Sequence, residues 1–406
     1  MKTDSGPDDR ALRKRWVILG VIYLCVLAFA IAFQSLPPVL FIIMEEVGLS
    51  HAKGGLLMSF FALPGIILSI PAGMLADRYN QSTIGSIAIA LMIAGASIFA
   101  LGQSMPVLAL GRLISGAGAL TLVVLAPQLL AQWFAGREIG IAMGVFNTGM
   151  PLGTILSLNF LSLIGEHLGW RSSIWSSVGM SLLAFVAFLF LFTPAPGKRE
   201  LTATSHGPFF RGFRSAGASI WFVGMAWMFY NAAVISMYTF TPDLLKANGF
   251  SLASAGFYAS LLVCPGLLLA PLLGYLIDKI DHKRTIIAVG GIIIACLVVW
   301  IPTATSWLSV LLVLVGIAQT MVPTPIFALV PDVMQQERLG LGFGIIMTCV
   351  NLGMVVGPFV TGLVRDVSGS YQGSYIIMAG FSLLITGSMA ILGLRDRPRP
   401  STIPSL

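Results

Sequence analysis

The stretch "GLSHAKGGLLMSFFALPGIILSIPAGMLADR" (residues 48–78) returns 201 residues later as "GFSLASAGFYASLLVCPGLLLAPLLGYLIDK" (residues 249–279). Gly48, Ser50, Ala52, Gly55, Ser59, Pro64, Gly65, Leu68, Gly73, Leu75 and Asp77 are identical in the two copies. Shared greasiness alone would not hold small residues and a Pro-Gly pair in register, so the chain reads as a duplicated unit. Each copy closes an apolar run with an aspartate and a cation, Asp77-Arg78 and Asp278-Lys279.

The surroundings of the repeat are just as apolar. Of 406 residues, 57% are hydrophobic and 10% charged, where a soluble domain carries roughly 25% charged residues. A bilayer core takes about 20 apolar residues per helical span, and repeated spans of that length account for most of the chain. That leaves no room for a soluble catalytic domain. GxSxG, HExxH, P-loop and His-rich patterns are absent, and the four histidines, His51, His167, His206 and His282, fall in expected loops. Cys25, Cys264, Cys296 and Cys349 lie singly in apolar runs, which supports neither a disulfide framework nor a zinc site. No cofactor and no nucleic-acid partner are expected. The N-terminal "MKTDSGPDDRALRKRW" is too polar for a cleaved signal peptide and reads as a retained tail.

Apolar runs and loop signals give twelve spans: 16–44, 53–75, 83–101, 106–130, 138–164, 170–193, 218–244, 253–277, 285–303, 306–330, 338–364 and 372–394. A long polar interruption, "PAPGKRELTATSHGPFFRGFRS", divides them six and six. The expected organisation is an all-α integral membrane protein: a tail (1–15), a six-helix bundle (16–193), a linker (194–217), a second six-helix bundle (218–394) and a C-terminal tail (395–406). Of 23 Lys and Arg, 18 fall on the N-terminal side of the membrane, and Lys53, Arg171, Lys246 and Arg365 on the other. The positive-inside rule then places both termini in the cytoplasm of a multi-pass protein, with a bacterial inner membrane as its expected location.

Two parallel halves of this kind are one repeat class of secondary transporters, and the chain resembles the major facilitator superfamily over essentially its whole length. The resemblance rests on "GMLADRYN" between spans 2 and 3, its second copy "GYLIDKIDHKR" between spans 8 and 9, and "LGRLISGAG" in span 4. It implies a carrier working by alternating access on a small solute, as a monomer in the lipid bilayer, with a co-transported proton or other ion as an optional further partner. It also implies a cytoplasmic latch built from Gly73, Asp77, Arg78, Gly274, Asp278 and Lys279. The first copy departs from the fuller pattern at Asn80 and in the following Gln81-Ser82-Thr83, which implies the weaker half of that latch.

Arg112 is the one clear cation well inside a span, about six residues or roughly 9 Å from its outer end. An intramembrane arginine costs about 2.5 kcal/mol or more. It has two readings, a bidentate contact to an anionic substrate or a tie between helix 4 and neighbouring carbonyls. Neutral polar groups near mid-membrane are Gln34, Asn147, Tyr230, Asn231, Gln319 and Asn351. In the superfamily, helices 1, 4, 7 and 10 line the central cavity, so Gln34, Arg112, Tyr230, Asn231 and Gln319 are the stronger candidates for substrate contact. "NTGMPLG" (147–153) and "NLGMVVG" (351–357) echo each other and read as helix packing; Met150 interrupts the glycine-proline pattern of superfamily exporters. Glu45, Glu46, Glu166, Asp243, Asp332 and Asp366 all sit at span ends, so no buried carboxylate for proton coupling is expected. The leading reading is a carrier of a small organic anion such as a monocarboxylate. Its alternatives are a multidrug or metabolite exporter and a membrane sensor that binds without translocating.

Overall fold

The structure is a computed structural model that describes residues 7–78, 80–134, 138–195, 217–269, 282–335 and 339–395, with side chains from residue 14 onward except 69–78 and 339–340. Helices α1 (Pro7–Phe33) and α2 (Leu40–Val47), joined through a 3-10 turn at Pro37–Val39, make up span 1. Spans 2 to 4 are α3 (His51–Arg78), α4 (Gln81–Leu101) and α5 (Met105–Trp133). Span 5 combines α6 (Ile139–Leu156), a π turn at Ser157–Leu161 and α7 (Ser162–Leu168), and span 6 is α8 (Trp170–Leu191). In the second half, α9 (Ala218–Ala247) is span 7, α10 (Leu252–Ser260) opens span 8 and α11 (Lys283–Val298) is span 9. α12 (Leu308–Thr320) and α13 (Pro323–Val333) share span 10, and α14 (Leu339–Ser368) and α15 (Tyr371–Arg395) are spans 11 and 12.

Among the described residues, 11 helical stretches are long and apolar enough to cross a membrane. The twelfth expected span, α11, has 16 helical residues and continues as turns. Large apolar side chains stand exposed on these helices, Phe190 at 80% and Val367 at 81%, as a lipid-facing surface requires. Four boundaries that bear on the site differ from the sequence reading. α1 begins at Pro7, inside the stretch read as a tail, and His51 and His167 belong to helices, not loops. Span 7 runs on to Ala247, one turn past its expected end. Apart from its ends, the 194–217 linker lies outside the described residues.

The helices gather on the two sides of the duplication. α4 packs on α5 and α8, and α1 on α6 and α8; in the second half α9 packs on α14 and α15, and α11 on α15. The crossings repeat. Gly116 of α5 rests on the Phe61 carbonyl, and Gly316 of α12 on the Leu262 carbonyl, Phe61 and Leu262 standing 201 positions apart. A side chain at either glycine would overlap backbone, which is why small residues mark such crossings in lipid. Gly353 and Gly357 of "NLGMVVG" likewise lie on the carbonyls of Met228 and Ala232.

The two bundles meet along α3 with α14, and along α10 with α7 and the π turn. At one end they are shut by paired contacts. Gly55 of α3 lies against the Pro358 carbonyl and Gly256 of α10 against that of Leu158; the two glycines are again 201 apart. Asp366 accepts from the backbone N–H groups of His51 (2.9 Å) and Ala52 (2.8 Å) at the start of α3, and Glu166 accepts from Ala253 N–H (2.7 Å) at the start of α10. Each carboxylate thus meets the positive end of a helix dipole in the opposite bundle. Toward the other end, the described ion pairs Arg15–Glu138 (2.6 Å) and Lys283–Asp332 (2.8 Å) each stay within one bundle.

Ser59, 1% exposed, bridges the seam through its hydroxyl, which donates to the Val355 carbonyl at 2.5 Å. Gly55→Val, one turn away, should wedge the bundles apart. A cysteine replacing Ser59 should then react severalfold faster with a water-soluble thiol reagent, in a background with the native cysteines replaced. Unchanged labelling would show that the glycine contact does not hold this end shut.

Candidate functional site

Span 1 breaks where its sequence requires it to. Pro37 and Pro38 have no N–H, so the carbonyls four residues earlier, Phe33 and Gln34, lose their helical partners. In hydrocarbon a freed carbonyl must be satisfied from within the protein. Arg112 Nη2 donates to Phe33 O at 3.0 Å, and the Ser157 hydroxyl donates to Gln34 O at 2.6 Å. The π turn that begins at Ser157 is what turns span 5 toward this break.

The rest of the Arg112 guanidinium is committed in the same way. Nη1 donates to Ala32 O at 3.1 Å and Nε to Leu57 O at 3.2 Å, with Met58 Sδ 3.4 Å from Nη2. Its plane lies 4.5 Å from the Phe61 ring centroid and 5.9 Å from that of Phe99. The residue is 3% exposed. In this conformation Arg112 therefore ties span 4 to the end of α1 and to α3, the second of its two readings.

The second half repeats the logic. Pro323 removes the N–H that would have bonded Gln319 O, and the Tyr230 hydroxyl donates to that oxygen at 3.1 Å. Tyr238 donates to Gln319 Oε1 at 2.9 Å, which knots span 7 to span 10. Trp227 stacks on Tyr230 at 5.0 Å, meets Phe327 edge-on at 5.4 Å, and carries a buried indole N–H with no protein acceptor. Asn231 donates to its own helix at Trp227 O, 2.8 Å.

Of the other sequence candidates, Gln34 is 0% exposed and neither of its amide atoms has a protein partner. Asn351 donates to Met347 O at 2.9 Å and packs its side-chain oxygen against Gly65 of α3. Asn147 is exposed on α6. Gly73, Asp77 and Arg78 fall in the last turns of α3, whose side chains lie outside the described residues, and Gly274, Asp278 and Lys279 lie outside them altogether.

A family model described as Major Facilitator Superfamily matches residues 22–334 and 222–405. The chain belongs to that superfamily. It is 23% identical to a hexuronate transporter of Bacillus subtilis over 378 residues, covering 86% of this chain and 87% of the relative. It is equally 23% identical to a lysosomal dipeptide transporter of Danio rerio over 376 residues, covering 87% and 81%. The fold matches a solved bacterial homologue of the human lysosomal transporter Spinster, inward-facing and occupied, with a TM-score of 0.80, 16% identity and coverage of 95% and 99%. Members of this superfamily are transporters, not enzymes.

One group in this superfamily member escaped the sequence reading. Asp243, placed at a span end, is 1% exposed, because α9 continues a full turn beyond it. Tyr371 donates to its Oδ2 at 2.9 Å, and His51 Nε2 lies 3.6 Å from the same oxygen. The available signal was the Pro242-Asp243 pair followed by Leu244-Leu245, two more apolar residues that keep the helix in the membrane.

If Arg112 acts through these carbonyls, Arg112→Gln leaves Phe33 O buried and unpaired, at a cost of about 1–3 kcal/mol. The ligand-free protein should melt lower, by on the order of 5 °C, and Arg112→Lys should fall between. Folded Arg112→Gln should bind substrate within a few fold of the parent. A tenfold loss of affinity with unchanged ligand-free stability would restore the substrate-contact role.

Proposed function

We propose that the chain carries a small organic solute bearing one carboxylate across the membrane by alternating access. The observation that carries this reading is the Gln34 amide, fully buried with neither atom partnered. A buried unpaired amide costs several kcal/mol, and the Trp227 indole N–H has the same need. A solute with a carboxylate acceptor and hydroxyl or amino donors answers both. The hexuronate and dipeptide named for the two relatives carry such groups. With Arg112 bonded to carbonyls, the anion is met by neutral donors: Gln34 on span 1, Trp227 and Asn231 on span 7, and Gln319 on span 10, with Tyr230 holding the Gln319 backbone in place.

The Lys and Arg asymmetry sets the proposed orientation, with the termini cytoplasmic and the shut end outside. The conformation is then one closed to the exterior, in a monomeric carrier of a bacterial inner membrane. The cytoplasmic latch of Asp77 and Asp278 belongs to the same proposal. Asp→Asn at either should slow turnover several-fold while ligand affinity stays within a few fold, because the balance of states is disturbed and not the pocket. Parent turnover at both would remove the latch.

Thermal stability of the purified protein against glucuronate, dialanine, glucose and ethidium tests the substrate class, since a ligand of the folded state raises its apparent stability. Glucuronate or dialanine should raise the melting temperature, and Gln34→Ala should weaken that effect about tenfold in concentration. A shift with glucose or ethidium alone would overturn the carboxylate reading.

A further inference from the structure

At the shut end, each ring nitrogen of His51 faces an acceptor. Nδ1 lies 3.0 Å from Asp366 Oδ1. Nε2 faces the Tyr371 oxygen at 3.5 Å and Asp243 Oδ2 at 3.6 Å. The Tyr371 proton is given to Asp243, so its oxygen turns a lone pair to the imidazole. A neutral imidazole has one N–H and one lone pair, and would set that lone pair against an oxygen on one side or the other. The imidazolium donates on both.

Charge leads to the same state. Asp243 is 1% exposed and its Oδ1 has no protein partner. Asp366 supplies a second carboxylate from α14. Arg365, also on α14, stacks its guanidinium 4.3 Å from the Tyr371 ring centroid. Lys53 on α3 is exposed, and Lys246 at the end of α9 is half-buried toward solvent. Two carboxylates against Arg365 leave one negative charge at the seam, and a protonated His51 cancels it.

The duplication supplies an internal comparison. Subtracting or adding the repeat length of 201 takes Asp243 to Ile42 and His51 to Leu252. The helix-start contacts are shared, as Asp366 on α3 and Glu166 on α10 show. The titratable additions are not duplicated: His51 stands in the first half alone, and Asp243 and Tyr371 in the second alone.

We propose that His51, Asp243, Asp366 and Tyr371 form a proton-binding site that fills with one proton as this end shuts and empties as it opens. The proton comes from water and adds to the imidazole lone pair; no other bond changes. With the end open, water reaches the carboxylate and the ring, and the charge no longer has to be balanced locally. With the end shut and no proton taken up, Arg365 would stand alone against two carboxylates and leave the buried Asp243 charge only partly balanced, a costly arrangement. The shut state therefore binds more protons than the open one, and rising pH favours opening, by at most about tenfold per pH unit for one proton. Histidine changes charge between about pH 5 and 8, which sets the range to examine. This rests on the alternating-access reading but not on the identity of the substrate.

The test follows opening of the shut end directly, without a substrate. In a background with the native cysteines replaced, Ser59→Cys (1% exposed) reports opening, and Leu168→Cys (70% exposed) reports the reactivity of a freely accessible thiol. Both are labelled in intact cells by an impermeant methanethiosulfonate, and their ratio removes the thiol's own ionisation. The ratio should climb between about pH 5 and 8, approaching tenfold per unit. His51→Gln, which keeps a hydrogen-bonding side chain but cannot take the charge, and Asp243→Asn should each flatten the climb at least threefold. A flat ratio in the parent would overturn the proposal by itself, whether or not either variant folds. A slope unchanged in a folded His51→Gln, as judged by parent-like Leu168→Cys labelling, would overturn it as well.

Discussion

A proline in a membrane helix leaves a carbonyl that hydrocarbon cannot satisfy, and much of this structure follows from where those carbonyls are answered. Phe33 O is taken by Arg112, Gln34 O by Ser157 and Gln319 O by Tyr230. In each case the missing donor is a backbone N–H of a proline, and the replacement comes from a different helix. The breaks therefore do more than bend spans 1 and 10. They cross-link span 1 to spans 4 and 5, and span 10 to span 7, through bonds that water cannot compete for.

The duplicated halves share mechanics but not chemistry. Glycine crossings and carboxylates at helix starts occur in both copies at a spacing of 200 or 201. Arg112 and His51 stand in the first half alone, and Asp243 in the second alone. A duplicated scaffold can thus keep its hinge geometry while its two copies acquire different charged groups.

Much of the fold could be read directly. Composition and the repeat gave the membrane class and the two bundles. The glycines of "NLGMVVG" read as packing, and they rest on the backbone of span 7. What escaped depended on where helices stop and on which groups meet across the seam. A span 7 ending at residue 244 makes Asp243 a surface carboxylate, whereas one more turn buries it to 1%. His51 looked like a loop residue because the start of α3 is fixed by Asp366, 315 positions away. Arg112 illustrates the opposite limit: its burial in a span was legible, but its partners are main-chain oxygens, and no side-chain pattern in the sequence names them.

The glycine crossings of the seam are bare. Where Gly55 meets Pro358 O, backbone touches backbone with no side chain between them, and where Gly256 meets Leu158 O only the small Ser162 side chain stands beside it. Contacts of that kind are worth about 0.5–1 kcal/mol each, and they trap no long rotamers that must be frozen and freed on every pass. A carrier has to cross the same boundary in both directions many times, so a strongly adhesive seam would become its slowest step. Glycine against carbonyl gives a surface that registers sharply and releases easily, closer to a bearing than to a bolt.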